Sequence, residues 1–294
     1  MRSNKLKTRA FILIILAGVF WGTTGLFVNF LTPVGYSSLN LTAVRAFVAF
    51  VCMLGYILLF DRGALRISKR GLLLSIAMGV AFFATSALYL AAIQMTSVAT
   101  SAVLLYMAPV YVAIYSAAFL GEKMTKIKVV SIGTVVLGGV LVSGVANGLS
   151  FNFLGITIAV LSGVIYAAYT VFSKLAMDSD NDPKSVTLYC FLVASIVALF
   201  FAGPKEIVMI TAENPIHIVS LLGLGIVTSI LPFFAYTVSL RTLPAGVASS
   251  MSIIEPLAAS VFGLVLLKEE FDAFKIAGIV LILLAVTALG RQKD

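Results

Sequence analysis

The sequence predicts an all-helical integral membrane protein of ten transmembrane helices, arranged as two inverted five-helix repeats. Three observations carry that expectation. Hydrophobic residues make up 61% of the 294 residues and charged residues 11%, against roughly 45–50% and about 25% in a soluble domain. Apolar stretches long enough to cross a bilayer can be laid end to end along the whole chain. The second half also repeats landmarks of the first at a nearly constant offset. So few charges cannot clothe a water-soluble globule, and the apolar surface must face lipid.

A helix needs about 20 largely apolar residues to cross roughly 30 Å of hydrocarbon. Spans are expected near residues 10–30, 37–60, 71–93, 97–120, 127–146, 151–177, 185–203, 216–239, 245–267 and 274–290. Helices follow because backbone polar groups in lipid must be satisfied within the segment, and the long runs lack the short alternation of a membrane barrel. The apolar run after MRSNKLKTRA continues without a small-residue cleavage pattern, which reads as an uncleaved first span. Cys52 and Cys190 fall inside spans as small apolar residues and offer no disulfide framework.

Basic residues near span ends mark the cytoplasmic side. With the N-terminus inside, 16 of the 20 Lys and Arg lie in inside segments, three (Lys205, Lys268, Lys275) lie outside, and Arg45 lies within a span. An even number of spans returns the C-terminus to the cytoplasm. The net charge of +8 is therefore an address in the cell membrane and not a nucleic-acid footprint.

The repeat shows first in LAGVFWGTTGLFVNF from Leu16 and LSGVIYAAYTVFSKL from Leu161, which place Gly18 over Gly163 and Trp21 over Tyr166 at an offset of 145. Tyr89 and Tyr236, Pro109 and Pro256, Glu122 and Glu269, and Lys128 and Lys275 match at 147. The halves are residues 1–147 and 148–294. Five is odd, so the second copy enters the membrane from the opposite side. Two inverted copies can exchange conformations and expose a central cavity to either side in turn.

These residues resemble the drug/metabolite transporter superfamily, specifically its ten-helix EamA type, across essentially the full length. The resemblance rests on FWGTTGLFVNF (Phe20–Phe30), Arg45 in LTAVRAF, TSVATSAVLLYMAPVYVAIYSAAFLGEK in span four and LPAGVASSMSIIEPLAASVFGLVLLKEE in its counterpart. A Pro about thirteen residues ahead of a helix-ending Glu occurs in both segments. The resemblance implies a secondary transporter, or exporter, of small metabolites such as amino acids. It also implies a cavity between spans 1–4 and 6–9, with spans five and ten at the periphery. The acid in the first helix on which the small four-helix drug-resistance relatives rely is absent here.

Two charges lie well inside spans, Arg45 in span two and Glu255 in span nine. Each needs a partner, a wet cavity or a route to the interface. They can form a salt bridge with each other, Arg45 can snorkel outward, or Glu255 can bind a coupling proton or a cationic substrate. Trp21, Tyr89, Tyr106, Tyr166, Tyr169 and Tyr236 sit away from the interfacial belts and are cavity candidates. Aromatic walls with Glu255 suit an organic cation such as a quaternary amine. The same walls with Ser97, Ser101, Ser249, Ser250 and Ser252 suit a neutral or zwitterionic amino acid. Pro109, Pro232 and Pro256 interrupt spans four, eight and nine as static kinks or as hinges.

Other chemistry is missing from the sequence. There is no P-loop, so no ATPase motor is implied. One histidine, His217, and no thiolate cluster argue against a metal site. One intramembrane acid is too few for an aspartyl protease. No cofactor is expected, and an intramembrane enzyme or a receptor is the remote alternative. Protons are a possible coupling partner, the lipid bilayer is the constant one, and the glycines of span five are compatible with a monomer or a homodimer.

Overall fold

A computed structural model describes residues 2–95, 101, 104, 105, 107–142, 152–213, 215–267 and 273–291. Among these residues every regular element is helical. The chain starts with α1 (Arg2–Gly22) and α2 (Thr24–Leu31), which together form the first apolar span. Next come α3 (Ser38–Phe60), α4 (Lys69–Met95), α5 (Ala108–Phe119) and α6 (Lys126–Val142). The second half holds α7 (Phe153–Asp178), α8 (Pro183–Leu199), α9 (Pro204–Glu213), α10 (His217–Gly225) and α11 (Leu231–Ser239), with a π-helical turn at Ile226–Ile230 between the last two. It ends with α12 (Ala245–Met251), α13 (Ile254–Leu267) and α14 (Ala273–Arg291).

Five segments are long and apolar enough to cross a membrane: Lys5–Val34, Ser38–Phe60, Lys69–Met95, Phe153–Asp178 and His217–Ser239. The pair α8 and α9, bent by 94°, makes a sixth only if the two helices are taken as one broken span. The chain is thus a multi-pass membrane protein. Of the other expected spans, 274–290 is one helix, α14, while parts of 97–120 and 127–146 lie outside the described residues. Span nine, expected unbroken over 245–267, is two helices separated at Ser252 and Ile253. Pro256 falls in the first turn of the second piece, where its missing N–H costs no helical bond. Pro109 likewise opens α5.

Side-chain caps mark several boundaries. Ser37 accepts from the N–H of Asn40 to start α3, Asn152 from Gly155 to start α7, and Asp182 from Lys184 to start α8. The packing then mirrors the repeat. Helix α1 lies against α11 and α13, while its counterpart α7 lies against α4 and α5. Gly18 and Gly163, aligned in the sequence, each allow a close approach. A Cβ on Gly18 would lie 2.9 Å from the Ile254 Cβ, and one on Gly163 would lie 3.0 Å from the Leu104 carbonyl oxygen. Helices α6 and α14 pack chiefly on each other.

Polar contacts concentrate at one end of the bundle. There Lys184 pairs with Asp61, and Arg241 donates to the Asn181 carbonyl at 2.6 Å. Ser68 donates to the Asn181 side chain at 2.9 Å, and Tyr189 to the Leu65 carbonyl at 2.8 Å. At the other end, Tyr36 and Thr211 share a hydrogen bond of 2.8 Å and Asn40 donates to Glu206 at 3.0 Å.

Candidate functional site

A cavity of about 610 Å³ lies among the helices. Trp21 of α1, Thr24 and Val28 of α2, and Ser38, Thr42 and Arg45 of α3 line one side. Phe82, Thr85, Ser86 and Tyr89 come from α4, Pro109 from α5, and Tyr166 and Tyr169 from α7. Phe233 of α11, Ser249 of α12, Ser252 in the break and Glu255 of α13 complete the wall. Helices α6 and α14 contribute no described lining residue. The residues of α2, the first turns of α3 and the end of α4 carry the cavity toward the 32–37 connection. The densest polar contacts close the opposite end.

The floor is an aromatic bed centred on Phe233. Its ring makes edge-on contacts with Trp21 at 5.0 Å, Phe82 at 5.2 Å, Tyr169 at 5.6 Å and Phe191 at 5.7 Å. Such T-shaped pairs fix ring orientation as well as burying area. Beside the bed, three polar atoms of cavity residues are buried with no hydrogen-bond partner: Trp21 Nε1, Thr85 Oγ1 and Ser249 Oγ. Buried polar groups are normally paired. These atoms are buried within the wall, so a ligand or water would meet them only after a small shift of the side chains around them.

Glu255 occupies the first turn of α13, where the partial positive charge of a helix start favours a carboxylate. Among the described residues it has no ion-pair partner within 4 Å, Arg45 included. Arg45 instead donates from Nη2 to the Thr228 carbonyl at 2.8 Å and from Nε to Ser229 Oγ at 2.9 Å. Its guanidinium carbon lies 5.5 Å from the centre of the Phe82 ring. Of the three roles open to these charges, a direct bridge is not formed within 4 Å, and Arg45 is anchored on the π turn instead. The carboxylate faces the cavity without a protein cation in contact.

The EamA-like transporter family matches the chain twice, over residues 8–144 and 153–291. The chain belongs to the EamA-like transporter family. A protein of Archaeoglobus fulgidus named an uncharacterized transporter is 30% identical over 279 residues, 95% of each chain. The pseudopaline exporter of Pseudomonas aeruginosa is 25% identical over 241 residues, covering 80% of this chain and 81% of the exporter. A solved crystal structure shares the fold, with a TM-score of 0.78 over 96% of both chains at 18% identity. Family and relatives name transporters, not enzymes.

In this EamA-like chain the structure brings Trp21, Tyr89, Tyr166, Tyr169, Glu255, Arg45 and Pro109 to one cavity. Tyr236 lies behind the wall, fully buried, sharing a hydrogen bond of 3.1 Å with Thr170 and a tilted ring contact of 5.6 Å with Trp21. Its hydroxyl is satisfied by a neighbouring helix and not by cavity water. Tyr106 falls outside the described residues. Pro232 follows the π turn, one residue before Phe233. Phe82, Phe233, Thr42 and Thr85 were not singled out from the sequence. A Phe next to an intramembrane Pro was the one available sign, for Phe233 alone.

Proposed function

We propose that this transporter is a secondary carrier of small amino-bearing metabolites such as amino acids, working by alternating access through the central cavity. The observation that carries the reading is the cavity's polar complement. Glu255 offers an acceptor with no protein cation in contact, while Trp21 Nε1 is a buried donor with no acceptor. An amino acid supplies both missing partners, an ammonium for the carboxylate and a carboxylate for the indole N–H. The aromatic bed accommodates its side chain. In this reading the ten spans form inverted halves, 1–147 and 148–294, in the cell membrane with both termini cytoplasmic. The cross-linked end holding Asp61 and Lys184 is then the closed cytoplasmic side, and the cavity faces outward. Export is the favoured direction, in keeping with the name of the Pseudomonas aeruginosa relative, and Glu255 is the group to carry a coupling proton.

An organic-cation carrier is the second reading, favoured by the rings around Glu255. It leaves the indole N–H without an acceptor unless the cation also bears one. A thermal-shift screen of the purified protein against amino acids, choline and nucleobases, followed by flux in proteoliposomes, separates the two. Stabilisation and flux with amino acids are expected. Response to choline alone selects the second reading, and response to neither amines nor amino acids overturns both.

A further inference from the structure

Between α10 and α11 the helix widens by one residue per turn. The Leu231 N–H reaches back five residues to the Ile226 carbonyl instead of the usual four. Pro232 explains the location. Proline has no N–H to give the carbonyl four residues earlier, and its ring crowds that carbonyl, which a wider turn relieves. The carbonyl is that of Thr228, and it is the one to which Arg45 Nη2 donates. The second donor, Arg45 Nε, holds Ser229 Oγ in the same turn. One guanidinium thus donates to the carbonyl that Pro232 cannot serve and grips the turn at two points.

The grip is connected to the cavity on both sides. Phe233, next to Pro232, is the centre of the aromatic bed, and the Arg45 guanidinium itself rests on Phe82, one of the four rings that Phe233 touches. The repeat supplies an independent comparison. The position 147 residues before Pro232 is Thr85, and the positions 145 to 147 residues after Arg45 are Cys190, Phe191 and Leu192. The repeat-equivalent pair of positions therefore has neither the proline nor the arginine. The proline and the arginine, one from each half, meet at one of the two symmetry-related helix contacts and are absent together from the other, as expected if one exists for the other.

We propose that Arg45 is a positioning residue of the cavity: by holding the Thr228 carbonyl, to which Pro232 cannot donate, it fixes where Phe233 stands and so the shape of the aromatic floor. The inference concerns cavity geometry and holds for either substrate reading above.

The test needs no substrate, because Trp21 is the sole tryptophan of the chain and packs on Phe233. Its emission maximum and acrylamide quenching are measured in the purified full-length protein in nanodiscs, well below the unfolding temperature. Arg45→Ala is expected to shift the emission to the red and raise quenching about twofold or more. Adding Pro232→Ala restores an N–H that can reach the Thr228 carbonyl, so the double variant is expected to return to wild-type emission. Unchanged emission in Arg45→Ala, or a double variant as perturbed as the single one, overturns the proposal. Should Arg45→Ala yield no folded protein, recovery of folded protein by the added Pro232→Ala is the expected result, and failure to recover it overturns the proposal.

Discussion

Glu122 accepts a hydrogen bond from the backbone N–H of Ala245 at 2.6 Å, joining the end of α5 to the start of α12. The other oxygen of the same carboxylate pairs with Lys128 Nζ at 2.5 Å, and the two side chains are only 12% and 4% exposed. One carboxylate thus ties the first repeat to the second at the cross-linked end of the bundle. Truncating one member of a buried pair leaves the other charge stranded, at a cost of about 3–5 kcal/mol. Glu122→Ala is expected to lower the midpoint of thermal unfolding strongly. Glu122→Gln keeps an oxygen for Ala245 and is expected to fall between the two. Equal melting of all three proteins would show that the tie contributes nothing.

Glu255 and Arg45 face the same cavity without an ion pair within 4 Å, and Arg45 is held by Thr228 and Ser229, so neutralising the carboxylate breaks no direct contact with a cation. Glu255→Gln is therefore expected to fold with near wild-type stability. If Glu255 carries the coupling proton, the variant's flux in proteoliposomes becomes independent of pH over the range in which wild-type flux changes. An unaltered pH profile in the Gln variant would remove Glu255 from proton coupling. The combined Glu255→Gln and Arg45→Ala protein tests for a direct bridge separately: two charges that face one cavity without touching should leave its destabilisation within about 1 kcal/mol of the two single changes added together, and a larger shortfall would reveal a bridge.

The limits of α3, α4 and α7 were legible because long apolar runs and polar caps such as Ser37 and Asn152 mark where lipid begins and ends. The break at Ser252 and Ile253 was not, because hydrophobicity continues across it and a helix end lining a cavity needs no polar flanks. Pro232 was legible as an interruption, but its partner was not. A backbone carbonyl accepts from Arg45, and a carbonyl carries no sequence signature. Distance from the interfacial belts does not separate Tyr236 from the tyrosines that line the cavity, because the Thr170 hydroxyl that meets it on a neighbouring helix carries no sequence signature. Phe233 escaped notice as one of 21 phenylalanines, since only the packing distinguishes the ring at the centre of the floor from those facing lipid.

Trp21 contributes both a ring and an unpaired N–H to the floor, and the two can be separated. Trp21→Phe keeps an aromatic ring against Phe233 and removes the donor. If the indole binds a substrate acceptor, the variant loses about 1–2 kcal/mol of substrate affinity, a rise of roughly five- to thirty-fold in KM, with a smaller effect on maximal flux. A KM equal to wild type would assign Trp21 to packing alone.

Close approach of the two halves sets a last expectation, which compares two glycines. A Cβ at Gly22 would lie 2.6 Å from the Ala258 Cβ and 2.8 Å from the Ala259 nitrogen, so the obstruction is a β-carbon and backbone that cannot rotate away. At Gly133, on α6, an added Cβ meets nothing within 4 Å. Overpacking of this kind costs about 1–3 kcal/mol, while replacing a helical glycine in open space gains roughly 0.5–1 kcal/mol. Gly22→Ala is expected to melt earlier than wild type and Gly133→Ala slightly later, read by thermal unfolding in one detergent. Gly22→Ala melting with wild type would mean that α1 and α13 stand farther apart in the membrane than the contacts at Gly18 and Gly22 require.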